Sequence, residues 1–307
     1  MPAPICLFVY NRPQETSRLL QSLSSCAEAP DSELYVFSDG AKTDKDKACV
    51  DAVRKLFLHL DGFKRVIVKE QEHNQGLANS VINGVTELLT HNDSVIVLED
   101  DLEVSSDFLS FMNEALTTYR GRKDIWSISG YTPHIDIPSD YHSDIFLVQR
   151  PQCWGWATWR DRWQLVDWNV SQSKILRDRN CRNDFNQGGN DLSRTLAIWQ
   201  KGRIDAWAIR WVFAAWLHHT WTVNPVCSKV KNSGFADNAT HTGWHDQRHA
   251  VELNNTSVRC DIGVQPDARI CQSFKQHHDL GPISRIGYFL RLHNLGYNQL
   301  KRLLKRR

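Results

Sequence analysis

The sequence lacks the patterns that would place a chain in a membrane or hold it together through sulfur. No run of about 18 apolar residues is present, so no helix is expected to span a bilayer. The eight cysteines are scattered without a CxxC pair, which argues against a zinc site and favours reduced thiols. The first residues show no basic region followed by a long apolar run, so no secretory signal is predicted. We therefore expect a cytoplasmic protein.

The chain has little excess of either charge: 37 Lys and Arg stand against 35 Asp and Glu, and the formal net charge is only +2. Residues 281–307 are the exception: they hold seven Lys and Arg and no acid, which leaves the rest at 2 − 7 = −5. A mildly acidic body argues against nucleic-acid binding and indicates one local anionic contact. Leucines at helical spacing among these cations favour an anionic membrane surface contacted through residues 297–307. The same pattern also fits a tail that docks on its own protein.

The first half of the chain alternates short apolar runs with helical patterns. The runs at 5–10, 34–38, 65–68 and 94–98 are separated by amphipathic stretches. Strands alternating with helices predict an α/β fold with a parallel sheet covered on both faces. The glycine-rich dinucleotide loop is missing after the first run, which disfavours an NAD enzyme.

Polar residues follow three of these predicted strands. Arg12 follows the first, Asp39 the second, and the acidic run 99–101 the fourth. Ligands bind beyond the carboxyl ends of parallel strands, so these side chains are expected to line one pocket. There Asp39 suits a base or ribose, and Arg12 suits a phosphate or the acidic run. The alternative is that loops between strands and helices are simply polar.

Glu99, Asp100 and Asp101 need positive charge nearby, because three consecutive carboxylates repel one another. A hard cation such as Mn²⁺ or Mg²⁺ takes oxygen ligands and shares its other positions with water and phosphate. It suits a nucleoside-diphosphate leaving group, whose developing charge it stabilises. A solvated acidic turn that caps the next helix explains the spacing equally well.

Tryptophan is concentrated in the second half of the chain: of the twelve, eleven lie between residues 154 and 244. Trp207 and Trp211 recur at helix spacing and are expected in the core. Trp154 and Trp156 flank a glycine, and their rings either stack on sugar faces or pack in the core.

One segment carries a close family resemblance. Residues 95–112 read VIVLEDDLEVSSDFLSFM and resemble the metal-binding strand and helix of the N-acetylglucosaminyltransferase I family, inverting enzymes with a GT-A fold. Further motifs of that family are matched in order at 10–12, 37–40, 154–156 and 204–207. The chain is also similar to bacterial family-2-type sugar transferases with Leu-Glu-Asp-Asp and Trp-Gly-Trp signatures. The resemblance implies a GT-A fold, with a Rossmann-like, mostly parallel sheet flanked by helices.

The resemblance also implies roles for individual residues. The expected donor contacts are Arg12, Asp39, Glu99 and Asp100; the expected acceptor contacts are Trp154, Gly155 and Trp156; and the expected metal ligand is Asp101. Asn79 opens the helix before the fourth strand and is a further candidate donor contact, with an ordinary loop as the alternative. His241 lies in a segment that resembles the part closing over the donor and is expected at the diphosphate. With His245 and His249 it also has the spacing of helical zinc ligands, which we disfavour.

Asp205 is the expected catalytic base. From the residues alone it is an N-cap of the helix that follows. The resemblance implies that its carboxylate takes the proton of the acceptor hydroxyl. The related family carries two adjacent aspartates before its tryptophan, whereas this chain has Asp205 and Ala206. If the second position held the base, Asp191 would be a weak substitute.

These inferences predict an inverting, metal-dependent glycosyltransferase. UDP-GlcNAc is the donor suggested by the resemblance, and a saccharide or lipid-linked saccharide of bacterial surface glycan synthesis is the expected acceptor. A metal-dependent nucleotidyltransferase and a non-catalytic carbohydrate-binding protein are the alternatives. We expect a nucleotide-sugar-binding half over 1–150, an acceptor half of the same domain over 151–250, and an extension with a basic amphipathic tail over 251–307.

Overall fold

The structure, a computed structural model, describes residues 2–234, 249–293 and 295. Its strands are β1 Ile5–Val9, β2 Glu33–Ser38, β3 Arg65–Glu70, β4 Ser94–Glu99, β5 Leu102–Val104, β6 Ile125–Ser129, β7 Ile145–Val148, β8 Trp156–Trp159, β9 Trp221–Pro225 and β10 Val230–Asn232. Its helices are α1 Pro13–Ser24, α2 Lys47–Lys55, α3 Leu77–His91, α4 Phe108–Thr118, α5 Arg160–Trp163, α6 Arg179–Phe185, α7 Leu192–Gln200, α8 Trp207–Leu217, α9 Ala268–His278 and α10 Pro282–His293.

Eight strands form one sheet in the order β3-β2-β1-β4-β8-β6-β9-β7. Strands β1 to β4 are parallel to one another, and β6 and β9 run in the same direction. Only β8 and β7 run against them. The predicted α/β fold with a mostly parallel sheet flanked by helices is therefore confirmed. Strands from both sides of residue 150 share this sheet.

Alternation along the strands sends side chains to two separate cores. Ile96 and Leu98 pack with α1 and α4 on one face of the sheet. Val95 and Val97 pack with α3 and α8 on the other face. Because successive side chains of a strand point to opposite faces, Glu99 projects to the face that carries α3 and α8.

The second face is filled with tryptophan. Trp156 is fully buried, and its ring centroid lies 5.3 Å from that of Trp207 and 5.5 Å from that of Trp211. Trp163 stacks on the same ring at 5.9 Å. The expected core positions of Trp207 and Trp211 are confirmed, and the aromatic enrichment of the second half is mainly a packing feature.

A short antiparallel ribbon of β5 and β10 closes over the end of β4. It is anchored by Lys229, whose side chain is fully buried. The Lys229 ammonium donates to the Asp107 carboxylate at 2.7 Å and to the carbonyls of Asn254 and Thr256 at 2.8 and 2.5 Å. All three N–H groups of the ammonium are thus used, which compensates for its removal from water. Within the described residues, no helix is long and apolar enough to cross a membrane.

Replacing Lys229 by Met should lower the free energy of unfolding by about 3–5 kcal/mol, because the Asp107 charge and two carbonyls lose their buried partner. Lys231→Met is the matched control: Lys231 is two residues away, is partly exposed and pairs with Glu103. Loss of the pair between Lys231 and Glu103 should change the free energy of unfolding by less than about 1 kcal/mol. Urea denaturation of both variants measures the difference, and equal effects would contradict the anchoring role of Lys229.

Candidate functional site

The acidic run lies where two central strands end side by side. β1 pairs with β4 in parallel, so the segment after Val9 meets the segment after Glu99. The Tyr10 N–H donates to Asp100 Oδ2 at 3.0 Å. Arg12 Nη1 donates to Asp101 Oδ2 at 2.7 Å and lies 3.9 Å from Asp100 Oδ1. The structure therefore brings together Arg12 and the acidic run, as the strand order predicts.

Negative charge at this point exceeds positive charge. Burial, followed by the charges of Asp101 and Asp100, raises the pKa of Glu99 to about 8. Burial and the charge of Asp101 raise the pKa of Asp100 to about 7, although Arg12 and the Tyr10 N–H act against this. Burial is the main cause of both shifts, the neighbouring carboxylates add to it, and Arg12 opposes it only in part; carboxyl groups with such raised pKa values cluster at functional sites.

The side chains of the acidic run lie on two sides of the sheet. Asp100 and Asp101 contact the segment after β1, as described above. Glu99 projects to the opposite face, where burial and then the charge of Glu99 raise the pKa of the Cys153 thiol to about 12. The thiol is therefore protonated at neutral pH and is not a nucleophile.

Asp39 is buried, with 7% of its surface exposed, and its two oxygens accept four hydrogen bonds. Oδ1 accepts from the N–H groups of Gly40 and Gln75, and Oδ2 from the Asn74 amide and the Gly76 N–H. The carboxylate thus fixes the loop before α3 against the end of β2. This organising role was not predicted, and it occupies the oxygens that the sequence assigned to the base or ribose of the donor.

Asp205 lies beside the same loop. A Cβ atom on Gly76, whose φ is +78°, would lie 3.4 Å from Asp205 Oδ2. Asp205 is therefore at the sheet edge that carries Asp39. Its expected capping role is wrong, because Ala206 is the N-cap of α8 and no side chain caps the helix. The carboxylate is exposed at the surface.

Asp191, the substitute base, is engaged elsewhere. Its two oxygens accept from Arg150 Nη1 at 2.7 Å and Nη2 at 3.0 Å, and the residue is 9% exposed. A bidentate, buried ion pair holds the carboxylate in one orientation and occupies both of its oxygens. The structure therefore gives no support to Asp191 as the base.

The Trp-Gly-Trp motif separates its two rings. Gly155 has φ +57°, and a Cβ atom there would lie 2.6 Å from the Val230 side chain, so glycine is required. Trp154 is partly exposed and packs edge-on against Tyr131 at a centroid distance of 4.5 Å. Trp156 is enclosed among other tryptophans, so the expectation that it stacks on an acceptor is not met. For Trp154, stacking on an acceptor sugar stays a prediction.

Two predicted donor contacts remain. Asn79 is exposed at the start of α3, and its side-chain amide donates to the Gln75 carbonyl at 3.0 Å. His241 lies outside the described residues, as do His245 and most of the segment expected to close over the donor.

Sequence reasoning did not predict several contacts of this edge. A Cβ atom on Gly234 would lie 2.5 Å from Asp101 Oδ2 and 3.0 Å from Arg12 Nη1, so this glycine lies directly on the ion pair. His249 packs against Trp154 at a centroid distance of 5.7 Å. The Asn11 amide donates to Asp46 at 2.9 Å and ties the first loop to the start of α2. All are long-range contacts, for which local spacing gives no signal.

A metal ion at this site would be completed by substrate. Across the described part of the chain, no three acidic, His or Cys groups converge as a protein-only metal site. Mg²⁺ and similar ions are usually held by one or two carboxylates, with substrate phosphates and water in the other positions. The carboxylates at the end of β4 are of the type that such an ion takes, and Asp101 is the one that would hold it.

The raised carboxyl pKa values predict a pH-dependent stability in a chelating buffer. Between pH about 4.5 and 8 the folded protein retains protons at Glu99 and Asp100 that the unfolded chain releases. The free energy of unfolding should therefore fall as the pH rises through this range. Glu99→Gln should reduce the fall, whereas Glu72→Gln, at an exposed position, should not. Denaturation curves at several pH values measure it, and identical profiles for the two variants would refute the charge imbalance.

A known protein family is similar to the part of the chain that carries this edge. Residues 5–122 match the family model described as Glycosyl transferase family 2. No curated protein matches the chain. The matched range contains β1 to β4 and all the expected donor contacts except His241, namely Arg12, Asp39, Asn79, Glu99 and Asp100, together with Asp101. This part of the chain is therefore similar to family 2 glycosyltransferase domains, and the mostly parallel sheet flanked by helices matches a GT-A fold.

Two solved structures are similar to the chain at a low level. One is the mannosyltransferase PcManGT from Pyrobaculum calidifontis in complex with GDP-Man and Mn²⁺, at 17% identity, 42% coverage of this chain, 37% of that chain and a TM-score of 0.29. The other is TarS from S. aureus, at 17% identity, with 48% and 22% coverage and a TM-score of 0.28. The chain spans less than half the length of either protein, and similarity this low carries no argument about substrate or mechanism.

Proposed function

We propose that the protein transfers a sugar from a nucleotide-sugar to an acceptor hydroxyl with inversion at the anomeric carbon. One observation carries the proposal: three buried or half-buried carboxylates, with Arg12 against two of them, lie at the carboxyl ends of β1 and β4 in the part of the chain that matches a glycosyltransferase family. Ligands of such sheets bind at that edge.

The donor side is built from charge and from a fixed loop. Arg12 can exchange its contact with Asp101 for a donor phosphate, because a guanidinium binds both groups in the same way. Glu99 and Asp100 accept hydrogen bonds from sugar hydroxyls, and the loop that Asp39 holds offers backbone groups to the nucleotide. Mn²⁺ or Mg²⁺, when bound at Asp101, supplies positive charge beside the leaving diphosphate.

The acceptor side needs one proton acceptor. The acceptor oxygen forms a bond to the anomeric carbon while the bond from that carbon to the diphosphate oxygen breaks. The hydroxyl proton passes to the Asp205 carboxylate, and the bonding electrons leave with the diphosphate. Asp205 suits this role because it is exposed, lies beside Gly76 and is not used as a helix cap.

The identity of the substrates follows from the resemblance. The similarity of residues 95–112 to the N-acetylglucosaminyltransferase I family supports UDP-GlcNAc as the donor. We infer a saccharide or lipid-linked saccharide acceptor that Trp154 contacts, in the synthesis of a bacterial surface polysaccharide. His241 is proposed at the diphosphate, and residues 297–307 at an anionic membrane surface.

The alternatives have less support. A nucleotidyltransferase on a similar sheet is expected to carry a glycine-rich basic loop after β1, where this chain has Asn-Arg-Pro-Gln. A carbohydrate-binding protein was suggested by the tryptophans, but Trp156, Trp163, Trp207 and Trp211 are buried in the core. A non-catalytic carbohydrate-binding protein would also leave the acidic run unexplained.

Asp101→Asn should lower the rate of sugar transfer by about a hundredfold or more, because the charge that would hold the cation at the leaving group is lost. Release of nucleoside diphosphate from UDP-GlcNAc and related donors, with and without Mn²⁺, measures the rate. Asp51→Asn, at an exposed position of α2, is the control and should match the unmodified protein. Stabilisation by Mn²⁺ with UDP in a thermal melt should also disappear in Asp101→Asn alone. Full activity of that variant would disprove the metal role.

Asp205→Asn should lower kcat by about 10² to 10⁴-fold and leave donor binding unchanged, because an amide cannot accept the acceptor proton. Asp205→Glu should retain part of the activity. Transfer rates and UDP-sugar affinity, measured separately, distinguish the roles: weaker donor binding at an unchanged rate would assign Asp205 to the donor instead.

A further inference from the structure

Helix α10 turns a largely polar stripe toward the protein and an apolar stripe toward solvent. Its inner stripe is Ser284, Gly287, Tyr288 and Arg291, at intervals of three, one and three residues, and all are at least partly buried. The Tyr288 hydroxyl lies 3.4 Å from Thr195 of α7, the helix on which α10 rests. A surface helix ordinarily turns its apolar stripe to the core. Here Leu290 and Leu292 are partly buried on either side, but the stripe between them holds Ser284, Gly287, Tyr288 and Arg291.

The outward stripe of α10 is apolar. Ile283, Ile286 and Phe289 follow one another at intervals of three residues, and 59, 54 and 55% of their surfaces are exposed. Residues three apart are neighbours on a helix surface, so these side chains form one continuous strip. Leu295, just beyond the helix, is 52% exposed. Elsewhere in the described ranges, the large exposed hydrophobic residues lie on separate elements.

The strip lies in the most basic part of the chain. Residues 281–307 hold seven Lys and Arg and no acid, and Arg285 is exposed between Ile283 and Ile286. An apolar strip among cations is the composition of a helix that lies in the interface of an anionic bilayer.

We propose that α10 is a membrane-docking helix, with Ile283, Ile286 and Phe289 inserted among the lipids of an anionic bilayer. The nearby cations contact the headgroups, and the polar inner stripe stays on α7. The surface extends the basic contact expected at residues 297–307 to a helix that supplies the apolar component. It does not depend on the proposed sugar transfer, because lipid binding needs no donor.

The full-length protein tests this by flotation with phosphatidylcholine vesicles that contain phosphatidylglycerol. The protein should float with them and should not float with phosphatidylcholine alone. Ile283→Ser with Ile286→Ser and Phe289→Ser should weaken binding by about tenfold or more. Leu58→Ser with Ile262→Ser removes equally exposed apolar residues elsewhere and should leave binding unchanged. Thermal melts of both variants verify that they are folded.

Three results would overturn the proposal. Equal binding by the triple variant and the unmodified protein would show that the apolar strip does not contact lipid. Equal binding to neutral and anionic vesicles would remove the role of charge. Absence of vesicle binding, together with a dimer that the triple variant abolishes in analytical ultracentrifugation, would assign the strip to self-association.

Discussion

The charge imbalance at the end of β4 is the constraint around which this edge of the molecule is arranged. Three carboxylates follow one another where a parallel strand ends, and among the residues that the structure describes Arg12 places its guanidinium against two of them. The neighbouring backbone helps: the Tyr10 N–H donates to Asp100, and Gly234 lies so close to Asp101 that no side chain fits between them. The imbalance persists, because the pKa values of Glu99 and Asp100 remain raised to about 8 and 7. Selection for stability alone would remove one of these carboxyl groups, so a cationic or hydroxyl-bearing ligand is the simplest reason to keep all three.

Strand direction and alternation made much of this edge predictable. Short apolar runs identify β1 to β4, and a parallel sheet places the residues after them at one edge, so Arg12 and the acidic run could be paired from the sequence. The contacts that involve side-chain direction could not. Asp39 was expected to face the donor, yet four loop donors converge on its oxygens. Trp156 and Trp154 are two residues apart, yet the positive φ of Gly155 sends one ring into the core and the other to the surface.

Local sequence patterns did not determine the structure at two helices. An aspartate before an apolar helix favours a cap, but the chain around Asp205 is extended and the helix begins one residue later. In α10 the apolar residues have ordinary helix spacing, which normally predicts a buried stripe. Their burial depends on which side α7 contacts, and the contact is made through Gly287 and Tyr288. Periodicity reveals that a stripe exists, whereas only tertiary packing decides what covers it.

The two faces of the sheet divide the chemistry of the site. Asp100 and Asp101 lie with Arg12 at the end of β1, and the Arg12 guanidinium is the group proposed to bind a donor phosphate. Glu99 projects to the face of α3 and α8, which is also the side of Asp205 and of the loop held by Asp39. One run of three residues can therefore contact a donor from both sides, because the strand alternation that separates the two cores also separates the carboxylates.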